Sequence, residues 1–146
     1  MPVPEEYAVT VAAGSLHVEG ATARLPHRWT EGGVEVRGAF TGAHLLHLAV
    51  AGCVLNDLFR EAAALGVPLD GAEVTATGGF DTVTWASTGV EYAVRLSGPS
   101  PAEAERLVAA VDAVAEIPRA LRQGVPVRRA DGPDVSPPAT PRAPRA

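Results

Sequence analysis

Thr41-Gly42-Ala43-His44-Leu45-Leu46-His47-Leu48-Ala49-Val50-Ala51-Gly52-Cys53-Val54-Leu55-Asn56-Asp57-Leu58-Phe59-Arg60-Glu61-Ala62-Ala63-Ala64-Leu65-Gly66 reads as one long helix. Apolar residues recur at three- and four-residue steps, and Gly66 with Pro68 supplies the stop. Ala, Leu, Val and Phe fill most of the circumference from Leu45 to Leu58, so the helix needs cover from a sheet and from a second subunit. With Cys53 at zero on a wheel of about 100° per residue, Leu46, Ala49, Asn56, Asp57 and Arg60 fall within roughly 60° of it. His44 and His47 lie on the far side. The single thiol thus shares its stripe with an amide, a carboxylate and a guanidinium, which makes a candidate chemical site. The bland reading stays open, because an unpaired cysteine commonly acts as a small buried hydrophobe.

Outward from the helix, alternation marks strands at Tyr7–Ala12 and Leu16–Gly20, which form a first hairpin. Ala21 to Trp29 continues as an edge strand interrupted by Pro26, and Val34–Phe40 is a third strand. Beyond the helix, Ala72–Phe80, with a bulge at its glycines, pairs with Val90–Leu96. Ser100-Pro101-Ala102-Glu103 has the form of a capping box that opens a helix to about Val114. A short helical turn follows a break at Pro118, and Gly124–Arg128 is a last edge strand. The sum is α+β with a mainly antiparallel sheet, in the order β-β-β-α-β-β-α-β. Residues 1–129 form one domain, and 130–146, rich in proline, form a disordered tail.

Composition excludes several classes. The formal charge is −5 and no cluster of arginines accompanies aromatics, so no nucleic-acid partner is expected. One cysteine cannot make an internal disulfide. The N-terminus lacks a basic start followed by an apolar run, and polar residues interrupt Ala43–Phe59, so no membrane partner is expected and the cytoplasm is the default compartment. His44 and His47 lack a third ligand at a useful spacing, and no Gly-rich phosphate loop is present, so neither metal nor cofactor is expected.

The order of elements and two local patterns resemble the OsmC/Ohr family, the osmotically inducible and organic hydroperoxide resistance proteins. The patterns are Ala51-Gly52-Cys53 in the apolar helix Leu45–Leu58, and Val111-Asp112-Ala113-Val114-Ala115-Glu116-Ile117-Pro118-Arg119-Ala120-Leu121-Arg122-Gln123-Gly124-Val125-Pro126-Val127. The resemblance implies an intertwined homodimer with sites at the subunit interface. It also implies a peroxidatic cysteine, a second cysteine that resolves the sulfenic acid, and an Arg and a Glu that polarise the thiolate. Cys53 matches the first, Ala115 stands in place of the second, and the Glu falls at about Ala43. Arg37 is the candidate cation, with Arg28 competing.

The expected function is therefore a one-cysteine reaction with organic hydroperoxides, served by an external thiol reductant, with Cys53, Arg37 and Asp57 as the reacting group. The alternative is a non-redox interface pocket in which Cys53, Asn56, Asp57 and Arg60, with His44 or His47 from the opposite subunit, bind or transform a small organic molecule. Either way the thiolate needs a nearby cation or helix N-terminus, and Asp57 opposes it if it faces the same cavity.

Overall fold

The computed structural model describes residues 7–130 together with 133, 135 and 144. The expected helix is α1, Gly42–Leu65. Thr41 caps its start by accepting the His44 N–H, and Gly66 closes it at φ 68°, a left-handed conformation that glycine adopts without strain. The strands are β1 (Val9–Gly14), β2 (Ala23–Leu25), β3 (Val34–Arg37), β4 (Gly71–Phe80) and β5 (Ser87–Ser97). They form one antiparallel sheet in the order β2-β3-β1-β4-β5. Two helices follow, α2 (Pro101–Val114) and α3 (Glu116–Gln123). The α+β class expected from the pattern is what the chain forms.

Four expectations need correction. Leu16–Gly20 is not a strand, because β1 pairs with β3 on one edge and β4 on the other and has no edge left for a hairpin partner. Its alternation instead serves a loop in which Val18 is buried. Gly124–Arg128 forms no strand; all five residues are exposed, and Pro126 lacks the N–H that a ladder requires. The break expected at Pro118 falls at Ala115, and Pro118 is accommodated in the first turn of α3, where its missing N–H costs nothing. The edge strand around Ala21–Trp29 shrinks to β2, which stops at the residue before Pro26. The tail expected from residue 130 lies almost wholly outside the described residues.

The core lies between α1 and the sheet. Val50, Val54, Leu55 and Leu58 of α1 meet Val9 and Val11 of β1 and Val74 of β4, all at most 3% exposed. Leu107 and Val111 close it from α2. Truncating the fully buried Leu58 to Ala would cost about 3–5 kcal/mol through lost burial and a residual cavity. By length and composition α1 is apolar enough to cross a membrane, but here that apolarity serves the sheet and α2. The rest of its circumference is bare: Leu45 and Ala49 are exposed, and Gly52 and Cys53 half-buried.

Candidate active site around Cys53

The chemistry converges where the middle of α1 meets the start of α3. Cys53 Sγ donates to Glu116 Oε2 at 3.2 Å. The Ile117 N–H also points at the sulfur. This follows from how α3 begins. Its N-cap, Ala115, offers no side-chain acceptor, so the first N–H groups must find partners elsewhere. Ala115 N–H still closes α2 on Val111 O, and Glu116 N–H bonds its own carboxylate. Ile117 N–H favours the sulfur's anion, Pro118 has no N–H, and Arg119 N–H returns to Ala115 O. No side chain seals this end, and its free N–H acts on the thiol.

Charge works against the thiolate. Burial pushes the Cys53 thiol up to about 11; the Ile117 N–H opposes this, while Glu116 and Asp57 add to it. Asp57 therefore acts on the thiol in the direction expected for a carboxylate facing the same space. It is 1% exposed, and burial raises its own carboxyl above the usual range despite the Asn56 amide and the Arg60 charge. Asn56 Nδ2 donates to Asp57 Oδ1 at 3.2 Å, and its own oxygen lies 3.3 Å from His27 Nε2. Arg60 reaches Asp57 at 3.1 Å, Glu61 at 3.4 Å and Glu116 at 3.5 Å. Glu116 is held below its ordinary value, first by its own N–H and then by the thiol.

Within one chain, Cys53, Asn56, Asp57 and Arg60 come together as one stripe. The other candidates lie elsewhere. The Arg37 guanidinium donates to Glu19 O at 3.0 Å and Thr10 Oγ1 at 3.5 Å. His44 bonds Thr41 and stacks edge-on with Tyr7. His47 is buried, with Nδ1 2.8 Å from Tyr7 O. Its ring packs so close to β4 that a Cβ at Gly78 would lie 2.8 Å from Nε2. Sequence reasoning missed Glu116 and Ile117. They directly follow Ala115, the position where the resemblance implied a second cysteine.

Along the Cys53 stripe toward the start of α1 runs an apolar pocket of about 300 Å³, lined by Leu46, Val50, Pro118 and Leu121, with Tyr92 and Arg122 among its polar groups. Tyr92 OH and Arg122 Nη2 both donate to Asp112 Oδ1, the latter at 2.8 Å, which clasps α3 to α2 and β5.

A family model for OsmC-like proteins matches residues 33–129. The chain belongs to the OsmC-like family. No curated protein matches it. Among solved structures, an organic hydroperoxide resistance protein OsmC from Legionella pneumophila is similar at 22% identity and a TM-score of 0.50, over 59% of this chain. This OsmC-like chain spans 64% of the Legionella protein's length. An OsmC-like hydroperoxide resistance protein from Jannaschia sp. CCS1 aligns at 16% identity and a TM-score of 0.49, over 84% of this chain and 90% of its own. The Legionella likeness is one of fold.

Proposed function

We infer that this OsmC-like protein reduces organic hydroperoxides through Cys53 alone, as a homodimer supplied with an external thiol of the cytoplasm. The observation that carries the reading is the start of α3, which sets a proton acceptor (Glu116) and an N–H donor (Ile117) against one half-buried sulfur. The thiol is protonated at neutral pH, so attack is coupled to transfer of its proton to Glu116. Sulfur bonds the distal oxygen of ROOH, the O–O bond breaks, and the leaving alkoxide takes the proton from Glu116. The products are Cys53 sulfenic acid and ROH. One external thiol then forms a mixed disulfide and releases water; a second releases Cys53 and the external disulfide. Ala115, in place of a resolving cysteine, makes the external thiol necessary. Ile117 N–H steadies the sulfur anion as it forms, Arg60 offsets the two carboxylates, and the apolar pocket receives the organic part of the substrate. The bare face of α1 at Leu45 and Ala49 supports the homodimer.

A second reading, a non-redox pocket for a small organic molecule, is favoured by the thiol's high proton affinity. Single-turnover reaction with an organic hydroperoxide, following sulfenic acid by trapping and intact mass, separates the two. Saturable oxidation faster than that of a simple thiol, reversed by a dithiol, supports the peroxidase. Oxidation no faster than that of a simple thiol removes it and leaves the pocket.

A further inference from the structure

We propose that Cys53, Asp57 and Glu116 form a three-ligand site for a borderline divalent cation of the Zn2+ type, with a fourth position open. This goes beyond the peroxidase reading, although it uses the same sulfur. One donor atom from each residue lies within 4.8 Å of the others. Around a tetrahedral zinc, with Zn–S about 2.3 Å and Zn–O about 2.0–2.2 Å, neighbouring ligand atoms stand about 3.5 Å apart. Cys53 Sγ and Glu116 Oε2, at 3.2 Å, already meet that spacing. Cys53 and Asp57 are one helical turn apart on the same face, so α1 fixes two ligands rigidly. Glu116, 66% exposed, can rotate to close the set and opens the route to solvent.

A separate observation points to a missing ligand. Asp57 Oδ2 is buried and accepts no hydrogen bond. The Arg60 guanidinium, 3.1 Å away, supplies charge without a hydrogen bond to that oxygen. Charge agrees in sign: a thiolate and the Asp57, Glu61 and Glu116 carboxylates around one guanidinium carry a net charge of −3, which a divalent ion lowers to −1 while replacing the thiol proton. Arg60 then keeps Glu61 as its partner, 3.4 Å away. A thiolate among carboxylates selects zinc-like ions over Mg2+ or Ca2+, which prefer all-oxygen sites. Sequence spacing hid the set, because Glu116 lies 63 residues beyond Cys53.

The test is titration of chelator-stripped, reduced protein with Co2+ in the absence of oxygen and of any hydroperoxide, followed by competition with Zn2+. Expected are one Co2+ per chain, a thiolate-to-cobalt charge-transfer band, visible bands of four-coordinate cobalt, and displacement by Zn2+. Cys53→Ser should abolish the charge-transfer band. Glu116→Gln, at an exposed position that leaves the fold intact, should weaken binding at least tenfold, and Asp57→Asn likewise if it folds. No binding, binding without the band, or unchanged affinity in Glu116→Gln overturns the proposal. Hydroperoxide turnover is measured separately with chelator present, so failure of either reading leaves the other standing.

Discussion

The helices α2 and α3 begin fifteen residues apart in the chain, yet their N-termini are handled in opposite ways. At α2, Ser100 Oγ accepts the Glu103 N–H and Glu103 returns the bond to the Ser100 N–H, with Pro101 following. That end is closed upon itself and serves stability alone. At α3, Ala115 caps nothing, Pro118 removes one donor, and the Ile117 N–H is left for the Cys53 sulfur. A helix start that the chain does not seal is one it can use. In this OsmC-like protein that open start stands against the only thiol.

The contrast can be broken in several ways. The largest effect is expected from Cys53→Ser, which should abolish hydroperoxide turnover in a steady-state assay while leaving the circular dichroism spectrum intact. Next is pH. With the thiol raised to about 11, iodoacetamide alkylation should climb about tenfold per pH unit from 7 to 10 and level near 11. Stability moves the other way. Between the ordinary thiol value and about 11, the unfolded chain holds fewer protons than the folded one, so stability falls as pH rises through that window. Tyr92, raised to about 12, acts in the same direction somewhat higher. Denaturant midpoints measured at pH 8 and 10.5, with and without Cys53→Ser, check the sign.

Smaller effects sharpen the comparison. Sealing α3 with Ala115→Ser leaves Ile117 as the N–H a cap would normally take, because Pro118 has none. The cap should stabilise α3 by up to about 1 kcal/mol, yet alkylation at pH 8 should slow severalfold. An unchanged rate would disconnect Ile117 from the sulfur. Glu116→Gln removes a group that raises the thiol, so alkylation should speed up severalfold while hydroperoxide turnover falls, a split that marks Glu116 as the proton acceptor. Arg122→Gln loosens the half-exposed bonds to Asp112 Oδ1 and Asp112 O and should lower stability by about 0.5 kcal/mol, read as a small drop in the thermal midpoint.

What was legible in the sequence was what local chemistry dictates. Thr41 and Gly66 bound α1, Ser100 to Glu103 start α2, and alternation marks β3 and β4, because caps and pleats are encoded by neighbouring residues. Leu16–Gly20 misled because alternation signals a half-buried segment, while pairing depends on which strand edges remain open. The helical stripe placed Asn56, Asp57 and Arg60 beside Cys53 without further help. Glu116 was within reach only through the resemblance at Ala115, because its contact with the thiol depends on how α2 folds back over α1, which no spacing records. Arg37 drew attention by its position before α1, but at the end of β3 its guanidinium turns toward Glu19 O.

Ala115 ends α2 and begins α3 at once, with φ −60° and ψ 119° and no spare residue between the two helices. One added residue there would rotate the start of α3 by about 100° about its axis, carrying Glu116 and Ile117 off the sulfur together. The junction therefore tolerates a change of letter far better than a change of length, and a chain that drifts in sequence but keeps its count from Ser100 to Ile117 keeps its thiol in the same surroundings.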